Sequence, residues 1–326
     1  MASAADTMDN IPVIDIADVT SPATIDAIDM ACRDIGFMIV TDHGISPDRI
    51  DAIRDVTVRY FGRSEEHKLR DRITRDNYRG YIPEGFFSPA TADAEVDRYE
   101  GYKLHLEVAG DDPIRRECDL YGPNKWPDAP AGFRDAVLAY WRACDDVSAR
   151  LLVALATIMG VEVDGFLACF EKPLTNMTLL HYPPQPAGQP GFGIHPHKDT
   201  DALTLLYPDE VGGLMVRRRD CEEWLEVRAP QGALVVNIGD MLELWSGGYF
   251  VSTPHKVVNT SGAERYSFPF FVVPRFDTVV APLVEPRRGF ERSSVHVGEV
   301  SREVWRTNWP DVVPADTGFD LGTLAD

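Results

Sequence analysis

The chain has 326 residues, 44% hydrophobic and 26% charged, a balance that supports a packed core and excludes wholesale disorder. With 32 basic against 52 acidic residues its formal net charge is −20, which argues against a nucleic-acid partner and against an anionic membrane surface. The five cysteines (Cys32, Cys118, Cys144, Cys169 and Cys221) are scattered and never spaced as CxxC, so neither a disulfide framework nor a zinc–thiolate site is expected. The first residues show no basic region followed by an apolar one, and the longest apolar run, Leu151 to Val161, is about half a bilayer span. The expectation is a cytoplasmic protein.

In chain order, IPVIDI (11–16) is rich in β-branched residues and predicts a short strand. Ser21-Pro22 opens a helix that carries Ile25, Ile28 and Cys32 at helical spacing. GFMIV (36–40) predicts a buried strand, and Ser46-Pro47 opens a second helix with Ile50, Ile53 and Val56 on one face. Residues 75–95, rich in Gly, Pro and aromatics, predict a long irregular loop, and GYKLHLEV (101–108) alternates as a strand. From 131 to 161 the apolar positions follow a helical period. Past residue 174 short alternating segments recur between turns: MTLLHY, DALTLLY, GLMVRR, EWLEVRA, ALVVNIG, HKVVN and YSFPFFVV. Their number and spacing predict a β-sandwich or barrel with a jelly-roll count of strands. The stretch beyond 281 gives no clear pattern.

Within that strand-rich half, Gly193-Ile-His-Pro-His-Lys-Asp-Thr-Asp carries the chemistry. On an extended strand alternate residues share a face, so His197 and Asp199 project an imidazole and a carboxylate together. One more imidazole from a neighbouring strand completes a two-His, one-carboxylate facial set, and His255 in Ser252-Thr-Pro-His supplies it. Such a set leaves coordination positions open for a bidentate cosubstrate and dioxygen. Arg265 and Ser267 form a further pair two residues apart, suited to gripping a carboxylate. A competing reading takes His195 and His197 as a cupin-like HxH with Asp201, but Phe250-Val-Ser-Thr-Pro lacks the second motif that a cupin wants before His255.

The stretch from His181-Tyr-Pro-Pro through HKDTDALTLL, VGGLMV, WLEV, GALVVNIGDMLELWSGGYFVSTPHKVVN and ERYSFPFFVVP resembles the isopenicillin N synthase-like family of Fe(II)/2-oxoglutarate-dependent oxygenases. IPVIDIAD, ACRDIGFMIVTDHGI and EEHKLR resemble that family's amino-terminal region, so the likeness spans roughly 10–275. It implies a mainly β fold with flanking helices, built on a distorted double-stranded β-helix (jelly roll). It implies an amino-terminal α/β region over 1–115, a helix plus jelly-roll catalytic core over 116–280, and a carboxy-terminal extension over 281–326. His197, Asp199 and His255 would bind Fe(II), and Arg265 with Ser267 would bind the far carboxylate of 2-oxoglutarate, assisted by Tyr182. Tyr102, Phe271 and His195 would belong to the substrate pocket. The implied activity uses O2 to oxidise a small-molecule, specialised-metabolite substrate by hydroxylation, desaturation or cyclisation, releasing succinate and CO2. A 2-oxoglutarate-independent iron oxidase, an ethylene-forming enzyme and a non-catalytic binding protein on the same fold stay open, as does the oligomeric state. Two positions depart from the family pattern: Leu180 stands where many relatives carry Asn, and Lys198 where Thr is common.

Overall fold

The β-branched run near the amino terminus forms β1 (Val13–Asp15). Ser21 then accepts a hydrogen bond from the Thr24 amide and Pro22 fills the first turn, which starts α1 (Pro22–Asp34). These elements come from a computed structural model that describes residues 10–86, 97–185, 192–218, 223–259 and 261–309. Cys221 lies outside them; the other four cysteines are free thiols. After β2 (Phe37–Thr41) come α2 (Pro47–Phe61), α3 (Glu65–Arg70), β3 (Gly80–Ile82) and β4 (Glu100–His105), so the stretch expected as one irregular loop holds a strand. A single turn, α4 (Ile114–Glu117), precedes the 27-residue α5 (Phe133–Met159). That helix ends at Gly160, whose φ of +69° a side chain would strain, and α6 (Val163–Ala168) follows.

The strand-rich half then supplies β5 (Asn176–Tyr182), β6 (Ile194–His197), β7 (Leu203–Tyr207), β8 (Leu214–Arg217), β9 (Trp224–Glu226) and β10 (Leu234–Ile238). A short α7 (Asp240–Trp245), β11 (His255–Val257) and β12 (Arg265–Val272) complete the core. The region expected to be patternless forms β13 (Val279–Val280), β14 (Val295–His296) and α8 (Val297–Thr307).

Among the described residues the strands build an eight-stranded sheet in the order β1-β2-β10-β7-β12-β5-β4-β3 and a four-stranded sheet in the order β6-β11-β8-β9. Together they make the jelly roll. The amino-terminal strands β1 and β2 extend the large sheet through antiparallel pairing of β2 with β10. Alternation splits the large sheet into two faces. Met38, Val40, Leu179, Leu205, Val236, Phe268 and Phe270 pack in one cluster with α1, α2 and α5. Phe37, Ile39, Leu180, Tyr182, Leu206 and Val235 pack in the other with Leu214, Val216 and Val257 of the small sheet. The helices therefore brace one face, and the other face looks into the space between the sheets. Among the described residues no helix is long and apolar enough to cross a membrane.

The joint between α1 and β2 is held against the segment that leads into β11. Gly36 has φ +66°, and a Cβ there would sit 1.8 Å from the Val251 carbonyl oxygen. Thr253 Oγ1 donates to the Ile35 carbonyl at 2.5 Å, and the Val251 amide donates to Cys32 at 2.9 Å. Gly36→Ala should therefore cost at least about 2 kcal/mol from strain and clash together, read as a lower denaturant midpoint. An unchanged midpoint would show that this joint yields without cost.

Candidate metal centre and active-site pocket

β6 and β11 lie side by side, with His197 directly opposite His255. Asp199 follows just beyond the end of β6 rather than on it. The three residues bring one ligand atom each within 4.8 Å of one another. His197 Nε2 lies 3.8 Å and His255 Nε2 3.7 Å from the same atom, Asp199 Oδ1.

The other polar atom of each residue is occupied. His197 Nδ1 donates to the His195 carbonyl at 2.8 Å and His255 Nδ1 to the Thr253 carbonyl at 3.1 Å, which fixes the tautomer that leaves both Nε2 lone pairs facing inward. Asp199 Oδ2 accepts from Asn237 Nδ2 at 2.8 Å and from Thr204 Oγ1 at 2.5 Å, so Oδ1 alone faces the centre. Burial would raise the Asp199 carboxyl, but His255, His197 and these two hydrogen bonds outweigh it and hold the pKa below the usual carboxylate value. Burial and then His255 depress His197, so its imidazole is neutral. Two imidazoles and one carboxylate converging through free atoms suit a divalent metal, and specifically the facial set of non-haem iron.

Asp201 is turned away from this centre. Its Oδ2 lies 2.9 Å from Thr204 Oγ1. Burial, followed by the Asp199 charge, raises its pKa well above the usual value. Thr204 Oγ1 thus stands within donating distance of both Asp199 Oδ2 and Asp201 Oδ2, and its one proton serves one of them at a time. The cupin-like alternative does not assemble: His195 Nδ1 is hydrogen-bonded to Asp97, and the ring packs 4.6 Å from Phe192.

Next to the three ligands is a cavity of about 70 Å³ between the sheets, lined by His197, Asp199, His255, Tyr182, Arg265 and Ser267 among others. Arg265 is 1% exposed. It donates through Nε to the Gly212 carbonyl at 2.7 Å and through a terminal nitrogen to Ser267 Oγ at 3.1 Å, and its guanidinium stands 4.5 Å over the Tyr182 ring. Among the described residues no carboxylate lies within ion-pair distance of it. A buried cation without a counter-ion is costly unless an anion visits it.

A larger cavity of about 320 Å³ opens on the other side of the ligands. Leu180, Ile194 and Phe271 line both cavities, so the departure Leu180 puts an apolar wall between them. Lys198, the other departure, points out of the metal centre, with Nζ 3.7 Å from Asp240 and 3.9 Å from Glu243.

Of the three residues expected in the substrate pocket, Phe271 lines it and two do not. Tyr102 faces the helices: its ring packs 4.8 Å from Tyr60 and its hydroxyl donates to the Lys125 carbonyl at 2.9 Å. The reason is strand parity. On β4 the neighbour of opposite parity, Lys103, takes the pocket face, and so does His105. His195 lines neither cavity, because Asp97 draws its ring aside. Tyr78, just before β3, lines the pocket as well.

Several contributors escaped the sequence reading. Asn237 and Thr204 were each a single polar residue inside an apolar strand, a signal that was available in ALVVNIG and DALTLLY. The wall made by Val300, Val304 and Trp305 of α8 belongs to the region given no pattern, although Val297, Val300 and Val304 keep helical spacing.

Known proteins match this arrangement. The family model of the 2OG-Fe(II) oxygenase superfamily matches residues 174–274, and that of the amino-terminal region of the non-haem dioxygenase in morphine synthesis matches residues 11–129. A homoarginine-6-hydroxylase of Arabidopsis thaliana is 32% identical over 295 residues, covering 84% of this chain and 87% of that protein. A crystal structure of JOX2 in complex with 2OG, Fe and JA is 29% identical with a TM-score of 0.77, over 90% of this chain and 84% of that one. A putative 2OG-Fe(II) oxygenase family protein of Caulobacter crescentus is 28% identical with a TM-score of 0.80, over 92% of this chain and 99% of that one. The chain thus belongs to the 2OG-Fe(II) oxygenase superfamily, as an Fe(II)- and 2-oxoglutarate-dependent dioxygenase that acts on small molecules.

Proposed function

We propose that this enzyme hydroxylates a C–H bond of a small-molecule substrate held in the larger cavity, with His197, Asp199 and His255 holding Fe(II) and with Arg265, Ser267 and Tyr182 holding the far carboxylate of 2-oxoglutarate. The observation that carries the reading is the buried Arg265, unpaired by any described carboxylate, in a cavity that begins at the three ligands. Hydroxylation is favoured over the other oxidations by the likeness to proteins named as hydroxylases, among them the homoarginine-6-hydroxylase and a feruloyl CoA ortho-hydroxylase.

The bound metal supplies the oxidising power, using dioxygen while the cosubstrate is converted to succinate and CO2. The chain supplies the rest. The Nδ1–carbonyl bonds of His197 and His255 keep both imidazoles presented in one orientation, and Thr204 and Asn237 stop the Asp199 carboxylate from rotating. Arg265 pairs with one end of the cosubstrate, with Ser267 steering the guanidinium and the Tyr182 ring screening it from water. Leu180 and Phe271 keep the space between the two cavities apolar, which excludes water from the reacting carbon.

Two measurements test the assignment. Anaerobic addition of Fe(II) and then 2-oxoglutarate should produce the visible charge-transfer band of a metal-chelated keto acid. Arg265→Ala should keep iron while losing at least tenfold in 2-oxoglutarate affinity, in line with the about 2–5 kcal/mol typical of truncating one partner of a buried charge pair. His255→Ala should lose iron itself. If Arg265→Ala binds 2-oxoglutarate as tightly as the parent, the carboxylate assignment is wrong. Separately, Asn237→Ala frees one side of Asp199 Oδ2 and should weaken metal affinity about 10–100-fold with the fold intact, measured by competition with a chelator.

A further inference from the structure

The part of the larger cavity lined by β4 and the start of β5 is polar, and the mechanism above makes no use of it. The exposed parity of β4 and β5 sets Lys103 opposite Thr178 and His105 opposite Asn176. All four residues line the cavity. Thr178 is two residues along β5 from Leu180, so this group begins about 7 Å from the wall shared with the cosubstrate cavity.

Lys103 Nζ donates to Thr178 Oγ1 at 3.1 Å and stands 4.9 Å over the Phe271 ring. Among the described residues no carboxylate lies within ion-pair distance of it. Among the described residues the carboxyl groups that line the cavity are Asp199, whose Oδ1 faces the metal centre, and Asp201, which hydrogen-bonds Thr204. Lys103 thus faces the cavity with the Thr178 hydroxyl as its hydrogen-bond partner and no carboxylate paired to it among the described residues. Burial pushes its ammonium down to about 7, while Asp199 and Asp201 pull it back up, so an anion arriving there would restore full charge.

Beside it are two acceptors with nothing to accept from. Asn176 Oδ1 and His105 Nε2 are both buried without a hydrogen-bond partner. His105 is 5% exposed, its pKa is driven far below the usual value by burial and by Arg79, and its ring hydrogen-bonds the Tyr78 backbone. The ring is thus neutral, with a lone pair left on Nε2. Buried acceptors of this kind are costly unless a ligand satisfies them.

From this juxtaposition we propose that the substrate is a small carboxylic acid with an amino or hydroxyl group near its carboxylate. The carboxylate pairs with Lys103, and the neighbouring N–H or O–H group donates to Asn176 Oδ1 and His105 Nε2. The acid head is then held at the polar end, and the remainder of the molecule extends along β5 past Phe271 toward the ligands. A cavity of about 320 Å³ sits at the small end of the usual range for ligand pockets, about 300–1,000 Å³, as suits such an acid. This assignment rests on the iron and 2-oxoglutarate reading, and Lys103, His105 and Asn176 act in it as specificity-determining residues.

The test uses the full chain loaded anaerobically with Fe(II) and saturating 2-oxoglutarate. Linear and aromatic 2-amino and 2-hydroxy acids of four to ten carbons are titrated in, each beside its methyl ester. Perturbation of the charge-transfer band reports binding, and succinate release in air reports turnover. At least one acid should bind tenfold or more tighter than its ester. Lys103→Met should erase that preference while leaving 2-oxoglutarate affinity unchanged, and Lys103→Arg should retain part of it. Asn176→Leu should weaken the amino or hydroxy acid but not the acid lacking that group, a distinction that a merely structural loss would not produce. If the band forms and no acid outbinds its ester, or if Lys103→Met keeps the preference, the substrate assignment is overturned. If the band never forms, the iron and 2-oxoglutarate reading falls first, and this assignment falls with it.

Discussion

A residue on a central strand of the large sheet can point in only two directions, and everything in this enzyme follows from which direction it takes. On β12, Tyr266, Phe268 and Phe270 go to the helix side, and Arg265, Ser267 and Phe271 go to the space between the sheets. On β5 the same division sends Met177 and Leu179 outward to α5 and its neighbours, and Asn176, Thr178, Leu180 and Tyr182 inward. One face is the hydrophobic reason the sheet exists; the other is a row of functional positions carried on a backbone that the first face has already made rigid. A one-residue slip of register would exchange the two sets and leave neither a core nor a site.

The inner row is graded in polarity. At one end the buried Arg265 guanidinium is screened by the Tyr182 ring; in the middle Leu180 and Phe271 are apolar; at the other end Lys103, His105 and Asn176 are polar again. The metal ligands stand beside the apolar middle. Two charged molecules would thus be held by their outer ends, with their reacting parts brought together beside the apolar side chains of Leu180 and Phe271. Both cations are held by hydrogen bonds to neutral partners, Gly212 and Ser267 in one case and Thr178 in the other, so neither is cancelled before a ligand arrives.

How much of this was legible in the sequence depended on the range of the signal. His197 with Asp199, and Arg265 with Ser267, are two residues apart, and the strand period alone aligns them; His255 needed only a neighbouring strand. Tyr102 was misassigned because its parity relative to β5 is set by pairing across the sheet, which a local pattern does not contain. Lys103 went unremarked for the same reason. Its chemistry is visible only when the register puts it opposite Thr178. His195 shared the parity of His197, yet a partner almost a hundred positions earlier, Asp97, turned it away. The strand β3 inside the expected loop was hidden because its pairing with β4, not its own composition, makes it a strand. α8 was hidden differently: only part of it is apolar, and its inward side is divided between the packed core and the wall of the cavity.

That last helix divides the enzyme by origin. The proposed metal ligands, the proposed cosubstrate cation and the residues that orient them come from the strands of the jelly roll and the turns between them, whereas one wall of the larger cavity is laid over them by a segment that follows the jelly roll in the chain. Val300, Val304 and Trp305 touch what enters the cavity and none of the ligand-bearing strands requires them for its pairing. One wall of the larger cavity is therefore written in a stretch of the gene apart from the jelly roll, and mutation can revise that wall while the strands beneath it are inherited unchanged.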